Sequence, residues 1–404
     1  MSNGVPTTMV LVSASDRHFR SPVRRCFAAL GIYLALATAG FADVPFLPPG
    51  GVPDYVVTMA TQSVLQKEDR SETHIHHDGW TRVEEAGSRM TTYFGHADRV
   101  IVRMTRDASG EPVHFDIIRR YKGVPSVDSF KTGEARIVLD VPCEVWNVQR
   151  VPGSKQLVWY SCVTSDGIEV ARRIESTEEY VLPRKATTIT VGDATSIDRR
   201  AVSSREVRPP VEALDLKTWN EAAAWSDKQP AGSPADFEAV IESENETVTP
   251  DARRTRTVRR HYPWMSIEEK HGDGVRTFNL LNQSNRFSLY VQFDADGRAQ
   301  SMSINKPSAP QKPEVNNEHG PVDLQSEDKV LGETCKWFDT TPNTTHSRVH
   351  ECRSTDGILL KERILSYKST NNYVATRLSR RPVPLVEVLP PGDLLTSRSW
   401  DLPE

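Results

Sequence analysis

"CVTSDGI", residues Cys162–Ile168, and "CRSTDGI", residues Cys352–Ile358, are nearly the same seven letters written twice in one chain. The match widens on either side. "SCVTSDGIEVARRI" (161–174) aligns with "ECRSTDGILLKERI" (351–364) without a gap. Downstream, "EVRPPVEALDLKTW" (206–219) meets "EVLPPGDLLTSRSW" (387–400), setting Glu206, Val207, Pro209, Pro210 and Trp219 on Glu387, Val388, Pro390, Pro391 and Trp400. Upstream, "HHDGWTRVEE" (76–85) meets "RHYPWMSIEE" (260–269), with Trp80 on Trp264 and one Glu pair on the other. Three blocks in one order, at offsets between 181 and 190, describe a tandem duplication with a period near 185 residues. That period is too long for a solenoid repeat, so each copy is a domain-sized unit.

A chain of 404 residues is long enough for two such units. Pro, Gly, Ser and Ala collect in "EAAAWSDKQPAGSPAD" after Trp219, which marks a linker. The expected division is a leader at 1–42, copy 1 at 43–222, a linker at 223–235 and copy 2 at 236–404. A second Pro-rich stretch, "KPSAPQKPEVNNEHGP" (306–321), lies inside copy 2 and reads as a long loop.

The leader has the layout of a secretory signal peptide. Arg17, Arg20, Arg24 and Arg25 form a basic region, Phe27 to Ala37 an apolar one, and small-residue cleavage sites follow at Ala37-Thr38-Ala39 and Gly40-Phe41-Ala42. A buried N-terminal helix is the competing reading, and "FLPPGGVP" directly behind the apolar run opposes it. Cleavage would shift the formal net charge from -4 to about -7, giving a mildly acidic mature protein in the periplasm or outside the cell. That charge, in an exported chain, argues against nucleic-acid binding. Peripheral contact with a membrane stays open.

Export makes the cysteines informative. Setting aside Cys26 in the leader, Cys143 and Cys162 form a pair in the first copy, and Cys335 and Cys352 a pair in the second. One local disulfide per copy is the expected pattern in an oxidising compartment. A four-Cys zinc site is opposed by the absence of any C-x2-C spacing.

Period-2 patterning dominates both copies. In "RFSLYVQF", Phe287, Leu289, Val291 and Phe293 share a face, "DADG" turns the chain, and Met302 and Ile304 continue beyond it. Copy 1 repeats this with Val100, Val102 and Met104, then "DASG", then Phe115 and Ile117. Asp78-Gly79 supplies a tight hairpin signal, and the "DG" of the heptapeptide another. Only "ALDLKTWNEAAAW" hints at helix. The expected fold class is all-β with minor α: two tandem curved antiparallel sheets, each an incomplete β-barrel whose apolar face needs a cover.

The order of motifs in each copy, from "DYVV" through "DGWTRVEE", "RVIVRMTRD…G" and "GETC…ECRSTDGILLKERI" to "EVLPPGDL", resembles the half-barrel domains of the LolA/LolB-like superfamily. These are periplasmic carriers and receptors of outer-membrane lipoproteins, and the similarity is greatest to their poorly characterised exported relatives. The chain departs from the carriers in having no N-terminal amphipathic helix to serve as a lid. The resemblance implies a hydrophobic concave face suited to an acyl chain or an apolar partner.

Candidate chemistry is sparse. In "THIHHD", His74 and His76 share a strand face and His77 lies opposite, a spacing that could chelate a metal with a third ligand. Copy 2 carries Val258, Arg260 and His261 at those positions, so a shared metal function is not expected. "RRTRTVRR" (253–260) reads as a solvated strand face guarding a sheet edge, with an anionic partner as the functional alternative. Glu84-Glu85 and Glu268-Glu269 recur, yet adjacent strand residues point to opposite faces and cannot form a catalytic dyad. No nucleophile elbow, phosphate loop or HExxH motif is present. The expectation is therefore a protein that is not an enzyme, with no catalytic residues, cofactor or metal. It would bind a lipid or acylated protein along a face lined by Val100, Val102, Met104, Phe287, Leu289, Val291 and Phe293. The alternative is an envelope structural module that binds a protein partner and no small ligand.

Overall fold

Among the described residues the first half forms eleven antiparallel strands. They are β1 (Tyr55–Ser63), β2 (Asp69–His77), β3 (Trp80–Glu85) and β4 (Met90–Gly95). Next come β5 (Val100–Arg106), β6 (Pro112–Arg119), β7 (Ser129–Val138) and β8 (Val141–Val148). The last three are β9 (Leu157–Thr164), β10 (Glu169–Glu179) and β11 (Lys185–Asp198), followed by one helical turn, α1 (Ser204–Val207). These assignments come from a computed structural model describing residues 51–63, 69–95, 100–119, 129–148, 157–179, 185–210, 214, 235–243, 253–282, 287–306, 321–341, 347–366, 370–400 and 402. The leader at 1–42, Trp219, the linker up to residue 234 and most of the Pro-rich stretch 306–321 lie outside the described residues.

The second half repeats the series. It runs β12 (Phe237–Ser243), β13 (Arg254–His261), β14 (Trp264–His271), β15 (Arg276–Asn282), β16 (Ser288–Phe293) and β17 (Ala299–Asn305). It continues with β18 (Val322–Val330), β19 (Glu333–Asp339), β20 (Arg348–Ser354), β21 (Leu359–Leu365) and β22 (Thr370–Ser379), then α2 (Leu385–Val388). Two 3₁₀ turns, Gly392–Leu395 and Ser397–Trp400, close the described chain.

Each half folds as two meanders, hinged where its first strand pairs with its last: β1 with β11, and β12 with β22. In the first half β7 to β11 lead into β1, and β2 to β6 follow. The second half has the same order, β18 to β22, then β12 to β17. The halves meet edge to edge through β6 and β17, making one open antiparallel sheet of 22 strands that does not close into a barrel. The join is symmetric. Asp107–Gly110 and Asp294–Gly297 are equivalent turns; counting on from them, Asp116 and Ser303 are equivalent, and they sit opposite each other. Residues 42–404 form one compact unit, so the duplication is a repeat within a continuous sheet.

Alternation decides which side is buried. Tyr93, Val102, Ile117, Met302, Val291 and Phe278 lie in one cross-strand row that runs straight over the seam, all of them buried. Burying each such side chain is worth roughly 1.5–3 kcal/mol, so the seam is held by packing as well as by its ladder. At the first strand of each half the buried side changes. Val56 packs toward this central cluster, whereas Tyr55, Val57 and Met59 turn the other way into a second cluster with Val145, Ile168 and the Cys143–Cys162 bridge. Phe237, Ala239 and Ile241 do the same in the second half, around Trp337, Leu360 and Cys335–Cys352.

The two disulfides form within the halves as the spacing predicts, with Cα–Cα distances of 5.4 and 5.3 Å. Among the described residues no helix is long and apolar enough to cross a membrane.

Candidate functional site

The seven apolar residues expected to line a ligand face, Val100, Val102, Met104, Phe287, Leu289, Val291 and Phe293, do come together. All are buried in the central cluster. Their cover is the chain's own two tails. Val202, Val207 and Leu214 come from the segment after β11, and Val383, Val388, Leu394, Trp400 and Leu402 from the segment after β22. No amphipathic N-terminal lid is needed for this. The repeated "EV-x-PP" block supplies the cover, with Val207 and Val388 fully buried beneath α1 and α2.

The remaining repeated motifs hold those tails down. In the heptapeptide, the Ile168 N–H donates to Thr164 Oγ1 at 3.0 Å and the Thr164 hydroxyl donates to Asp166 Oδ1 at 2.5 Å. Gly167 then takes φ +86°, a left-handed conformation that suits glycine. Ser354, Asp356 and Gly357 (φ +81°) reproduce the arrangement. The turn aspartate next captures the arginine that follows the last strand: Arg199 Nε donates to Asp166 at 2.8 Å, and Arg380 Nε to Asp356 at 2.8 Å. Arg380 also binds Glu333. Its neighbour reaches into the tail, Arg200 to Glu206 at 3.0 Å and Arg381 to Glu387 at 2.6 Å. The duplicated letters thus spell one device, a disulfide-braced hairpin whose aspartate anchors the start of the covering tail.

A second anchor comes from the first strand. Asp54 Oδ2 accepts the Val202 N–H at 2.9 Å while its other oxygen meets His77 Nδ1 at 3.0 Å. Asp236 engages the equivalent Val383 N–H and His261, both through Oδ2, at 3.4 and 3.0 Å. The Val202 hydrogen bond is the chief cause that holds the Asp54 carboxyl below its ordinary range. Sequence reading missed Asp54, Asp236 and the Arg199-Arg200 and Arg380-Arg381 pairs, although each recurs in both copies at matched positions.

The second tail also locks across the seam. Arg119, buried at the end of β6, donates to Ala299 O at 2.8 Å and to Ser399 O, and its guanidinium lies 5.2 Å from the centre of the Trp400 ring. Trp400 is fully buried and its indole N–H donates to Leu394 O at 2.8 Å. The tail of the second half is therefore fastened to the last strand of the first meander of copy 1.

On the opposite side of the sheet the halves differ. His76 is buried, stacked on Tyr55 with ring centroids 5.1 Å apart, and hydrogen-bonded to Thr81 Oγ1 at 3.0 Å. Burial pushes its pKa down to about 4. His74 contacts Glu72 at 3.3 Å, and Arg172 binds the same carboxylate after lying across Gly192. Burial opposes the charge on Glu72, but the hydrogen bonds from His74 and Arg172 outweigh it and hold the carboxyl down to about 2. In the second half the equivalent ion pair is reversed. Arg256 stands where Glu72 stands, Glu362 where Arg172 stands, and they meet at 2.9 Å with the Arg256 guanidinium over the Tyr373 ring.

The arginine run 253–260 is accordingly not a solvated face guarding an edge. Its strand β13 lies between β12 and β14, and its side chains serve intramolecular contacts. Arg254 and Arg256 bind Glu269, and Arg259 binds Glu238 at 3.0 Å. Arg260 is buried over Tyr262. Glu84 and Glu85 pair with Arg82 and Arg70, so the recurrent Glu pairs are likewise partners for arginine. His74, His76 and His77 each have a protein partner, and among the described residues no group of three His, Cys, Asp or Glu is placed to hold a metal ion.

No protein-family model and no curated protein matches this chain. Solved structures of PNGF-II in two crystal forms are similar at 9% sequence identity. The first has a TM-score of 0.27 and covers 63% of this chain and 64% of its own. The second has a TM-score of 0.26, covering 58% of this chain and 48% of its own. The chain thus spans about two thirds and about half of those structures.

Proposed function

We propose that this chain is an exported, non-enzymatic scaffold of the cell envelope whose partners are proteins, with no small apolar ligand in its central face. The observation that supports this reading is the cover. The seven apolar side chains that would line a ligand face are already packed under Val207, Val388, Leu394 and Trp400, and each tail is fastened at its start by two repeated ionic anchors. Opening that face to an acyl chain would expose a fully buried tryptophan and break a buried arginine contact. Export is supported by the signal-like leader at 1–42 and by two disulfides that suit an oxidising compartment. The LolA/LolB-like resemblance supports the half-barrel origin of each copy, with the carrier site filled by the protein itself.

Native mass spectrometry of the protein exported to a bacterial periplasm and purified without detergent tests the reading. The expected spectrum shows the polypeptide mass less four hydrogens for two disulfides. An added mass that extracts into organic solvent would sink the scaffold reading and restore the lipid-binding one.

A further inference from the structure

We propose that the two outer edges of the sheet, β7 and β18, pair with one another between copies of this chain, basic edge to acidic edge, so that the sheet continues from molecule to molecule. This gives the scaffold reading a partner and rests on it. Among the described residues every strand is hydrogen-bonded on both sides except β7 and β18. An unpaired edge presents a row of free N–H and C=O groups that another strand can complete.

The exposed apolar side chains collect at those two places. Of the nine large exposed hydrophobic residues among those described, six lie on the edge hairpins: Phe130, Ile137 and Leu139 on one, and Val322, Leu324 and Leu331 on the other. Ile137 is 75% exposed. Leu139 and Leu331 occupy equivalent turns, each with positive φ (49° and 54°), a conformation that leucine rarely adopts. Positive φ at Asp140 and Gly332 as well makes both of them the two-residue turns that hairpins favour, and each leaves an exposed leucine at its tip.

Charge selects the partner. By strand content β7, with Lys131, Glu134 and Arg136, is net basic, and β18, with Asp323, Glu327, Asp328 and Lys329, is net acidic; Lys131 also meets Glu144, Arg136 meets Asp193 and Asp328 meets Lys361 within the molecule. Two β7 edges, or two β18 edges, would set like charges together, while β7 against β18 sets opposite ones together. Each edge strand also has a register shift, between Lys131 and Ala135 and between Asp323 and Glu327. Such irregularities blunt an edge against the indiscriminate addition of regular strands. The seam between β6 and β17 shows that equivalent edges of the two halves already pair in this way inside one molecule. Pairing of unlike edges is head-to-tail, so it extends to a row or closes to a ring.

Sedimentation velocity of the full-length exported protein tests this with one variant at each edge, Ile137→Glu on β7 and Val322→Lys on β18. Both positions are exposed, so the far-UV circular dichroism should match the parent; Leu139→Asp and Leu331→Asp serve as the second pair. The parent should form larger species with rising concentration and lose them in high salt. Each variant alone should be monomeric, and an equimolar mixture should form a dimer and nothing larger, because one free edge of each kind is left. A parent that is monomeric throughout, a single variant that still self-associates, or a mixture that does not would overturn the proposal. Mass spectra of the same samples report bound lipid separately, so failure of the scaffold reading is distinguishable from failure of the edge pairing.

Discussion

Mild acidification should weaken this fold through His76 before the paired carboxylates titrate. His76 is buried between Tyr55 and Thr81, and its pKa falls from 6.5 to about 4 because burial disfavours the charged ring. Asp54 and Asp78 pull the other way without reversing the shift. At pH 7 the ring is neutral in the folded chain and mostly neutral in the unfolded one, so its linkage is small. As pH falls below 6.5 the unfolded chain takes up a proton that the folded chain refuses, so stability falls until the folded pKa is reached. The interval from 6.5 to about 4, at about 1.4 kcal/mol per pH unit, makes the full loss about 3 kcal/mol. His76→Asn keeps a polar amide near the position of Nδ1, within reach of Thr81 Oγ1, and cannot titrate. Guanidinium unfolding of parent and variant at pH 7 and pH 4.5 should show the parent losing about 2–3 kcal/mol more than the variant. Glu72, with its carboxyl held at about 2, loses its contribution only as pH falls below its unfolded value of 4.5, beneath this window. Equal acid losses in the two proteins would refute the burial argument.

Trp400→Ala removes the side chain that seals the tail and should cost about 3–5 kcal/mol in equilibrium unfolding, with Arg119→Ala lowering stability in the same direction because it detaches Ser399 and Ala299. Reduction should release the four thiols of the two bridges and lower stability by about 3 kcal/mol per bridge; peptide mapping of the oxidised protein should recover Cys143 with Cys162 and Cys335 with Cys352. Glu72→Arg sets two cations side by side and should cost about 3–5 kcal/mol, and adding Arg172→Glu should restore most of it, which a double-mutant cycle measures directly.

The strands were legible because alternation in "RFSLYVQF" or "RVIVRM" is a local property, and the disulfides because each closes a short loop inside one copy. The duplication was legible from the heptapeptide. What could not be read was the join. β6 looks like any other strand of a meander, and nothing in "EPVHFDIIR" announces that its free side meets β17 of the other copy in symmetric register. The cover was half legible: the repeated "EV-x-PP" and Trp400 stood out as matched positions, but the apolar row beneath them read as an open face because the same residues serve either purpose. The arginine run misled for a related reason. Its partners Glu238, Glu269 and Glu362 lie on three other strands, and sequence shows the charges without showing what they face.

The reversed ion pair has a consequence for how a duplicated chain finds its fold. Two copies joined in one polypeptide can exchange equivalent strands while folding, and sister domains commonly misassemble this way. Here an exchange carries a penalty. If β2 took the place of β13, Glu72 would face Glu362; if β13 took the place of β2, Arg256 would face Arg172. Either error puts like charges together in a largely buried site, with Tyr373 standing in one half where Gly192 stands in the other. The polarity of a single salt bridge thus works as an address, directing each strand to its own half of the sheet.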